Sequence, residues 1–177
     1  MNLPDLFRNL YLQYFKLVYN VAIQYVQNTE DAEEITQDVF VKVHEKLDTF
    51  KREADIKTWI YRIAINQSLD FIKAKKSQKR WSFLSALSLD NNERPIEISH
   101  FNHPGILLEQ NESMQKIFDA INRLPDNQKT VIILLKIEQN SMTETADIMK
   151  LSYKAVDALF QRAKKNLELL LTPNEEI

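Results

Sequence analysis

With 177 residues, 44% of them hydrophobic and 27% charged, the chain carries enough apolar material to bury a core and is not of disordered or fibrous type. Its single glycine, Gly105, argues against a sheet-rich fold, whose tight hairpins lean on glycine, and the lack of cysteine excludes disulfides, thiolate metal sites and cysteine nucleophiles together. The net charge of -2 weighs lightly against a nucleic-acid partner, so where the charges lie matters more than their sum.

From Phe7 the apolar residues Leu10, Tyr11, Tyr14, Val18, Val21, Ala22 and Tyr25 recur at steps of three and four, which places them on one face of a first helix. Asn28 and Thr29 stop it. Thr29 is expected to cap a second helix, whose first turn holds Glu30 and Asp31 against the positive helix end and whose stripe of Ala32, Ile35, Val39, Phe40, Val43 and Leu47 runs to Asp48. A polar break leads to a third helix, capped by Asp55 and striped by Ile56, Trp59, Ile60, Ile63, Ala64 and Phe71. Its tail carries Lys73, Lys75, Lys76, Lys79 and Arg80, with no acid among residues 73–80. Residues 81–111 lose the periodicity and gather Asn, Ser, Pro95, Pro104 and Gly105, the composition of a linker, with room for a turn of helix over 84–89.

A second helical region opens near Glu112 with Met114, Ile117, Phe118, Ile121 and Leu124. Pro125 ends that helix and begins the next, whose buried half is Val131 to Ile137. Ser141 and Glu144 form the capping box of a short helix through Met149, and Ser152 caps a last helix striped by Ala155, Val156, Leu159, Phe160, Ala163, Leu167 and Leu170. The expected fold class is therefore all-α, in two small helical domains joined by a linker. No run approaches the roughly 18 apolar residues of a membrane span, and residues 1–8 lack the basic-then-apolar order of a secretion signal, so a cytoplasmic chain without membrane insertion is expected.

The two short capped helices joined by Lys150, Leu151 and Ser152 have the pattern of a helix-turn-helix, with Ala146, Val156 and Leu159 where the helices must lock and Lys150 where a glycine is frequent. An ordinary pair of packed helices would share much of that pattern. Read as a DNA reader, the second helix presents Tyr153, Lys154, Asp157, Ala158, Gln161 and Arg162, followed by Lys164 and Lys165; the cations suit phosphates or guanine edges, and Gln161 suits adenine. Asp157 repels the backbone, and a solvated bond to Lys154 or Gln161 is its plain alternative. In the first region Trp59, Tyr61, Arg62 and Asn66 precede the basic tail, which suits single-stranded nucleic acid; the alternative is a core tryptophan and a solvated lysine terminus. The acids Glu30, Asp31, Glu33, Glu34 and Asp38 are either a solvated face or meet a basic partner. His100 and His103 with Glu97 sit in the linker without supporting residues, no glycine-rich phosphate loop exists, and no nucleophile has a base beside it. No metal, no cofactor and no enzymatic activity are expected.

The run DAEEITQDVFVKVHEKLDTFKREADIKTWIYRIAINQSLDFIKAKKSQKR, residues 31–80, is similar to conserved region 2 of the extracytoplasmic-function (group 4) sigma factors of the sigma-70 family. The run LPDNQKTVIILLKIEQNSMTETADIMKLSYKAVDALFQRAKKNL, residues 124–167, resembles their region 4. The resemblance implies an RNA polymerase sigma factor that supports promoter melting, with region 2 over 1–80, a linker over 81–111 and region 4 over 112–177. It implies that Gln37, Asp38 and Phe40 dock on the β′ clamp helices of core polymerase, unless Phe40 is core. Lys42, Phe50, Arg62 and Asn66 would hold the melted strand of the -10 element, one flipped base entering a pocket beside Phe50 and Asn66, with Lys73 and Lys76 nearby. The last helix would read the -35 element, and the β flap, promoter DNA and an anti-sigma factor complete the implied partners. Where many members carry arginines in the recognition helix, this chain has Asp157 and Leu159.

Fully flexible, the linker would span about 30 Å and fully extended about 100 Å. Two promoter elements roughly two turns apart, about 70 Å, fall between these limits. The linker is thus expected to be drawn out and ordered only on core polymerase, leaving the free domains able to fold together. On the residues alone two rivals stand: a helix-turn-helix regulator that binds duplex DNA without polymerase, and a helical adaptor indifferent to DNA.

Overall fold

The computed structural model describes residues 3–50, 54–88 and 112–172. Among these residues the regular elements are helical, as the three- and four-residue apolar steps require. The first unit is a bundle of α1 (Leu3–Val26), α2 (Thr29–Lys46) and α3 (Ile56–Ser88). They meet around Val18, Val21, Ala22, Ile35, Val39, Val43, Ile60 and Ala64, all sealed from solvent.

Asn28, not Thr29, caps α2. Its side chain accepts from the Asp31 N–H at 2.9 Å, because α1 has already been closed by Gln27 in the left-handed conformation, φ 54°, and the chain turns one residue early. Asparagine caps at least as well as threonine, so nothing is lost by the shift. After α2 comes a single 3-10 turn, Leu47–Thr49. Asp55 then caps α3 as expected, its Oδ2 accepting from Lys57 N–H at 3.0 Å. The helix does not stop at Arg80 but continues to Ser88, about 50 Å in all. Residues 81–88 of the expected linker are thus helical, whereas 89–111, with both prolines, Gly105 and the His100, His103 and Glu97 trio, lie outside the described residues.

The second unit holds α4 (Glu112–Arg123), α5 (Asp126–Ile132), a π turn over Ile133–Ile137, α6 (Met142–Met149) and α7 (Tyr153–Leu171). Pro125 separates α4 from α5. Phe118, Ile121, Leu124, Val131, Ile132, Ala146, Val156 and Ala163 make its core. The segment expected to bury one half buries two. Val131 and Ile132 belong to the second core, while Ile133, Leu134 and Ile148 of α6 pack into the core of the first unit. The widened turn, with Glu138 N–H bonded to Ile133 O at 2.9 Å, marks the place where the helix changes sides.

Two changes rank these contributions. Leu134→Ala leaves a cavity in the seam between the units and is expected to cost about 2 to 5 kcal/mol, whereas Ser141→Ala removes a helix cap and costs about 1 kcal/mol. Urea denaturation followed by circular dichroism checks both, and the reverse ranking would contradict the seam.

Candidate nucleic-acid interface

The helix-turn-helix is built by local hydrogen bonds. Ser141 and Glu144 close the capping box, Ser141 N–H to Glu144 Oε2 at 2.8 Å and Glu144 N–H to Ser141 Oγ at 3.1 Å. These bonds hold the Glu144 carboxyl below the usual carboxylate range. Lys150 takes the left-handed conformation, φ 56° and ψ 42°, that a glycine adopts more cheaply. The end of α6 is then a Schellman turn, Leu151 N–H reaching Ala146 O at 3.0 Å and Lys150 N–H reaching Asp147 O at 3.3 Å. Ser152 caps α7 through its Oγ, which accepts from Ala155 N–H at 3.2 Å. Ala146 and Val156 are buried where the helices cross, and Leu159 is half-buried.

On α7, Tyr153, Lys154, Asp157, Ala158, Gln161, Arg162, Lys164 and Lys165 are all exposed. Asp157 takes the plainer of its two roles: its Oδ1 accepts from Gln161 Nε2 at 3.2 Å. Arg162 Nε turns back to Ala158 O at 3.2 Å, and the Lys164 ammonium sits 4.9 Å from the Phe160 ring centre.

On α3, the three-, four- and seven-residue steps from Trp59 to Arg62, Asn66 and Lys73 keep these side chains on one face. Phe50 leans on Trp59, ring centres 4.8 Å apart. Trp59, Arg62 and Asn66 line one wall of a cleft of about 480 Å³, whose opposite wall includes Asn127, Thr130, Ile148, Met149 and Lys150 of the second unit. Lys73 and Lys76 lie beyond it, exposed, and the helix ends in a feature the periodicity did not single out, Trp81 at 76% exposure. Tyr61 does not join this face. It is buried, donates to Glu138 Oε2 at 3.2 Å, and is pushed up to about 12 by burial first and the nearby Glu138 carboxylate after it.

Lys42 stands apart from the cleft, its ammonium donating to Gln67 Oε1 while Gln67 Nε2 donates to Asp38 Oδ2 at 2.8 Å. Gln67, which no sequence signal marked, therefore ties a residue expected on the strand to one expected on polymerase. Gln37 and Phe40 line a separate apolar groove of about 420 Å³ with Phe7, Tyr11, Val41 and His44. Phe40 itself is only 3% exposed, its ring 4.8 Å from that of Tyr11, so it is the floor of that groove and a core residue. Of the acids on α2, Asp31 is paired with Lys75 at 2.5 Å.

The two units meet through polar bonds as well as the apolar seam. Arg62 Nη2 donates to Asp147 O at 2.6 Å and Arg62 Nε to Ile148 O at 3.2 Å, at the carbonyl end of α6. Lys57 faces Glu144 at 3.9 Å. Tyr25 and Thr130 oxygens lie 2.5 Å apart; Thr130 gives its own hydrogen to Asp126 O, so Tyr25 is the donor between them. Lys129 is buried, donating to Tyr25 O at 2.9 Å and Asn122 Oδ1 at 2.5 Å. Burial, ahead of the opposing Asp126 charge and the neighbouring Lys76, lowers it to about 8.

Comparison with known proteins decides what this arrangement is. Residues 10–78 match Sigma-70 region 2, and residues 114–167 match Sigma-70, region 4. The chain belongs to the sigma-70 family, in its extracytoplasmic-function branch. It is 26% identical over 167 residues to the ECF RNA polymerase sigma-E factor of Escherichia coli strain K12, covering 94% of this chain and 87% of that one. Its fold is similar to that of the sigma factor RpoE, solved with the anti-sigma factor NepR from Bartonella quintana, at TM-score 0.66 and 21% identity over 95% of this chain and 98% of that one. CnrH, solved with the cytosolic domain of CnrY, gives 0.62 and 22% over 93% and 86%. This sigma factor accordingly directs RNA polymerase to specific promoters, in a family of transcription regulators that are generally not catalysts. No helix among its described residues is long and apolar enough to cross a membrane.

The buried Lys129 makes the fold pH-dependent in a defined window. Its amine loses a proton near pH 8 in the folded chain but near 10.5 when released. Between these values the unfolded chain binds the extra proton, so its contribution to stability rises with pH above about 8 and is flat below. Subtracting the urea stability of Lys129→Met from that of the sigma factor itself, pH by pH, should isolate that rise; a flat difference would contradict the burial.

Proposed function

We propose that this sigma factor opens promoters by capturing the unwound strand of the -10 element on the α3 face of Trp59, Arg62 and Asn66, with Phe50 at its edge and Lys73 and Lys76 along the strand's path. The observation that carries this reading is the juxtaposition on one helix face of an aromatic ring, a guanidinium, an amide and then uncompensated lysines. Bases stack on rings while phosphates follow cations. The exposed face of α7, from Tyr153 and Lys154 through Asp157, Ala158, Gln161, Arg162, Lys164 and Lys165, reads the duplex -35 element. Asp157 there orients the Gln161 amide, which supports a preference for a base that Gln161 can bond.

Core polymerase is held through α2, where Gln37 and the groove floored by Phe40 meet the β′ clamp helices, and through the second unit on the β flap. Asp38 and Lys42 act through Gln67, which fixes both. The units divide as 1–80, 81–111 and 112–177, although α3 carries the first unit's last helix past that boundary. The chain performs no covalent chemistry, works in the cytoplasm, needs no cofactor, and is controlled by an anti-sigma factor, as the RpoE relative solved with NepR is bound by one.

Run-off transcription with purified core polymerase on the chain's own upstream DNA tests this reading against the duplex-only regulator and the helical adaptor. Product should require the chain. Asn66→Ala and Lys76→Ala are each expected to reduce open complexes by about tenfold, the factor of one 1.4 kcal/mol contact, while binding core normally. Loss of core binding in either variant would contradict the assignment.

A further inference from the structure

We infer that the far end of α3, around Lys79, Arg80 and Trp81, is a further DNA-contact site that grips the backbone of the paired DNA between the two promoter elements. Its orientation on a promoter rests on the reading of the α3 face as the holder of the unwound strand.

The match to Sigma-70 region 2 ends at residue 78, whereas α3 runs on to Ser88, ten residues and about 15 Å further. No core holds this overhang, since every residue from Lys73 to Trp81 is exposed. Its charge has a single sign: no acid follows Asp70 as far as Ser88, while Lys73, Lys75, Lys76, Lys79 and Arg80 do. Lys75 is paired with Asp31, and among the described residues no ion pair takes up the other four. Seven-residue steps carry Asn66 to Lys73 and on to Arg80 with a drift of only about 20° each, so the overhang continues the face on which the strand is placed.

Trp81 decides what the overhang is for. At 76% it is more exposed than any other large apolar side chain described. Lysines alone would make a solvated helix end. The indole among them adds apolar surface that water disfavours, together with an N–H donor, and a nucleic-acid backbone offers a partner to each part: sugars to the ring, phosphates to the N–H and to the cations. Which nucleic acid it meets follows from the path of the chain. Asn66 and Trp81 are about 22 Å apart along the helix, the length of about six base pairs. The chain then continues towards the unit placed on the -35 element, so the overhang lies upstream of the strand face, where the DNA is paired. Bases there are stacked on one another and closed to the ring, whereas phosphates line both strands, one charge per about 1.7 Å of axis.

The test uses holoenzyme, assembled with purified core polymerase, on two DNAs that share the unwound -10 strand. The long one carries about ten upstream base pairs, or about 34 Å of duplex, and the short one ends where pairing begins. Trp81→Ala should weaken binding of the long DNA several-fold. Lys79→Ala with Arg80→Ala should weaken it about tenfold and lower the slope of log affinity against log salt by about 0.9 for each cation removed. These positions are exposed, so both variants should fold, bind core and bind the short DNA as the unchanged chain does. Normal binding of the long DNA by both variants overturns the site. Equal losses on the two DNAs also overturn it, because Trp81 would then touch the strand. So does a loss confined to anionic phospholipid vesicles, the other polyanionic surface that lysines and an indole suit. Asn66→Ala, by contrast, should weaken both DNAs alike; if it weakens neither while Trp81→Ala still weakens the long one, the duplex grip stands and the strand-holding reading of α3 falls.

Discussion

The units are joined because the segment from Lys129 to Leu134 is buried on both sides. An apolar helix with no polar face is stable only where it is surrounded, and here one side is covered by the second core while the other is covered by α1 to α3. Ile133, Leu134 and Ile148 would each give up about 1.5 to 3 kcal/mol on exposure to water. Separation of the units therefore has a cost that some partner surface must offset. Polymerase, which in the proposed function holds the two units on different sites, is the natural source of that compensation.

The Lys57–Glu144 pair and the Tyr25–Thr130 and Tyr61–Glu138 bonds work with the apolar part of the interface, but the gathering of cations there works against it. Lys46, Arg62 and Lys150 line one cleft, and no acid is among its lining residues. Lys129 is buried close enough to Lys76 for the two charges to oppose each other. Arg62 is received by the oxygens of Asp147 and Ile148 and Lys129 by those of Tyr25 and Asn122, with the Asp126 charge also near Lys129. A cationic cleft closed by apolar packing is poised: salt screens its repulsion and favours closure, whereas a polyanion favours the open form.

What could be read from the chain beforehand follows from how far its determinants reach. Caps and periodicity act within a few residues, so Asp55, the Ser141–Glu144 box, Ser152 and the Lys150 turn stood out, as did the exposed face of α7. The one slip in capping, Thr29 for Asn28, came from Gln27, whose left-handed conformation has no sequence signal in a residue of that type. Pairings over long separations were not legible. Tyr61 finds Glu138 across 77 positions and Arg62 finds Ile148 across 86, and nothing local distinguishes Tyr61 from its neighbours on the cleft side. Gln67 was silent for the same reason, since an amide joining an acid and a base on another helix leaves no periodic trace. Of the continuation of α3 to Ser88 only a turn of helix over 84–89 was legible, because Lys75, Gln78, Ser82 and Ser85 stand where the apolar stripe ending at Phe71 would continue.

In the proposed function the two DNA faces are not equally open. Under that reading the exposed α7 face can touch paired DNA, while Trp59, Arg62 and Asn66 of α3 face the second unit across the cleft. A factor whose single-strand site were always open would meet any exposed strand in the cell with its full cationic stripe, from Arg62 to Arg80, because stacking and phosphate contacts discriminate poorly among sequences. The carbonyls of α6 engage Arg62, the first donor of that stripe. In the proposed function selectivity then rests on engaging two elements, one paired and one unwound, rather than on tighter contacts to any one base.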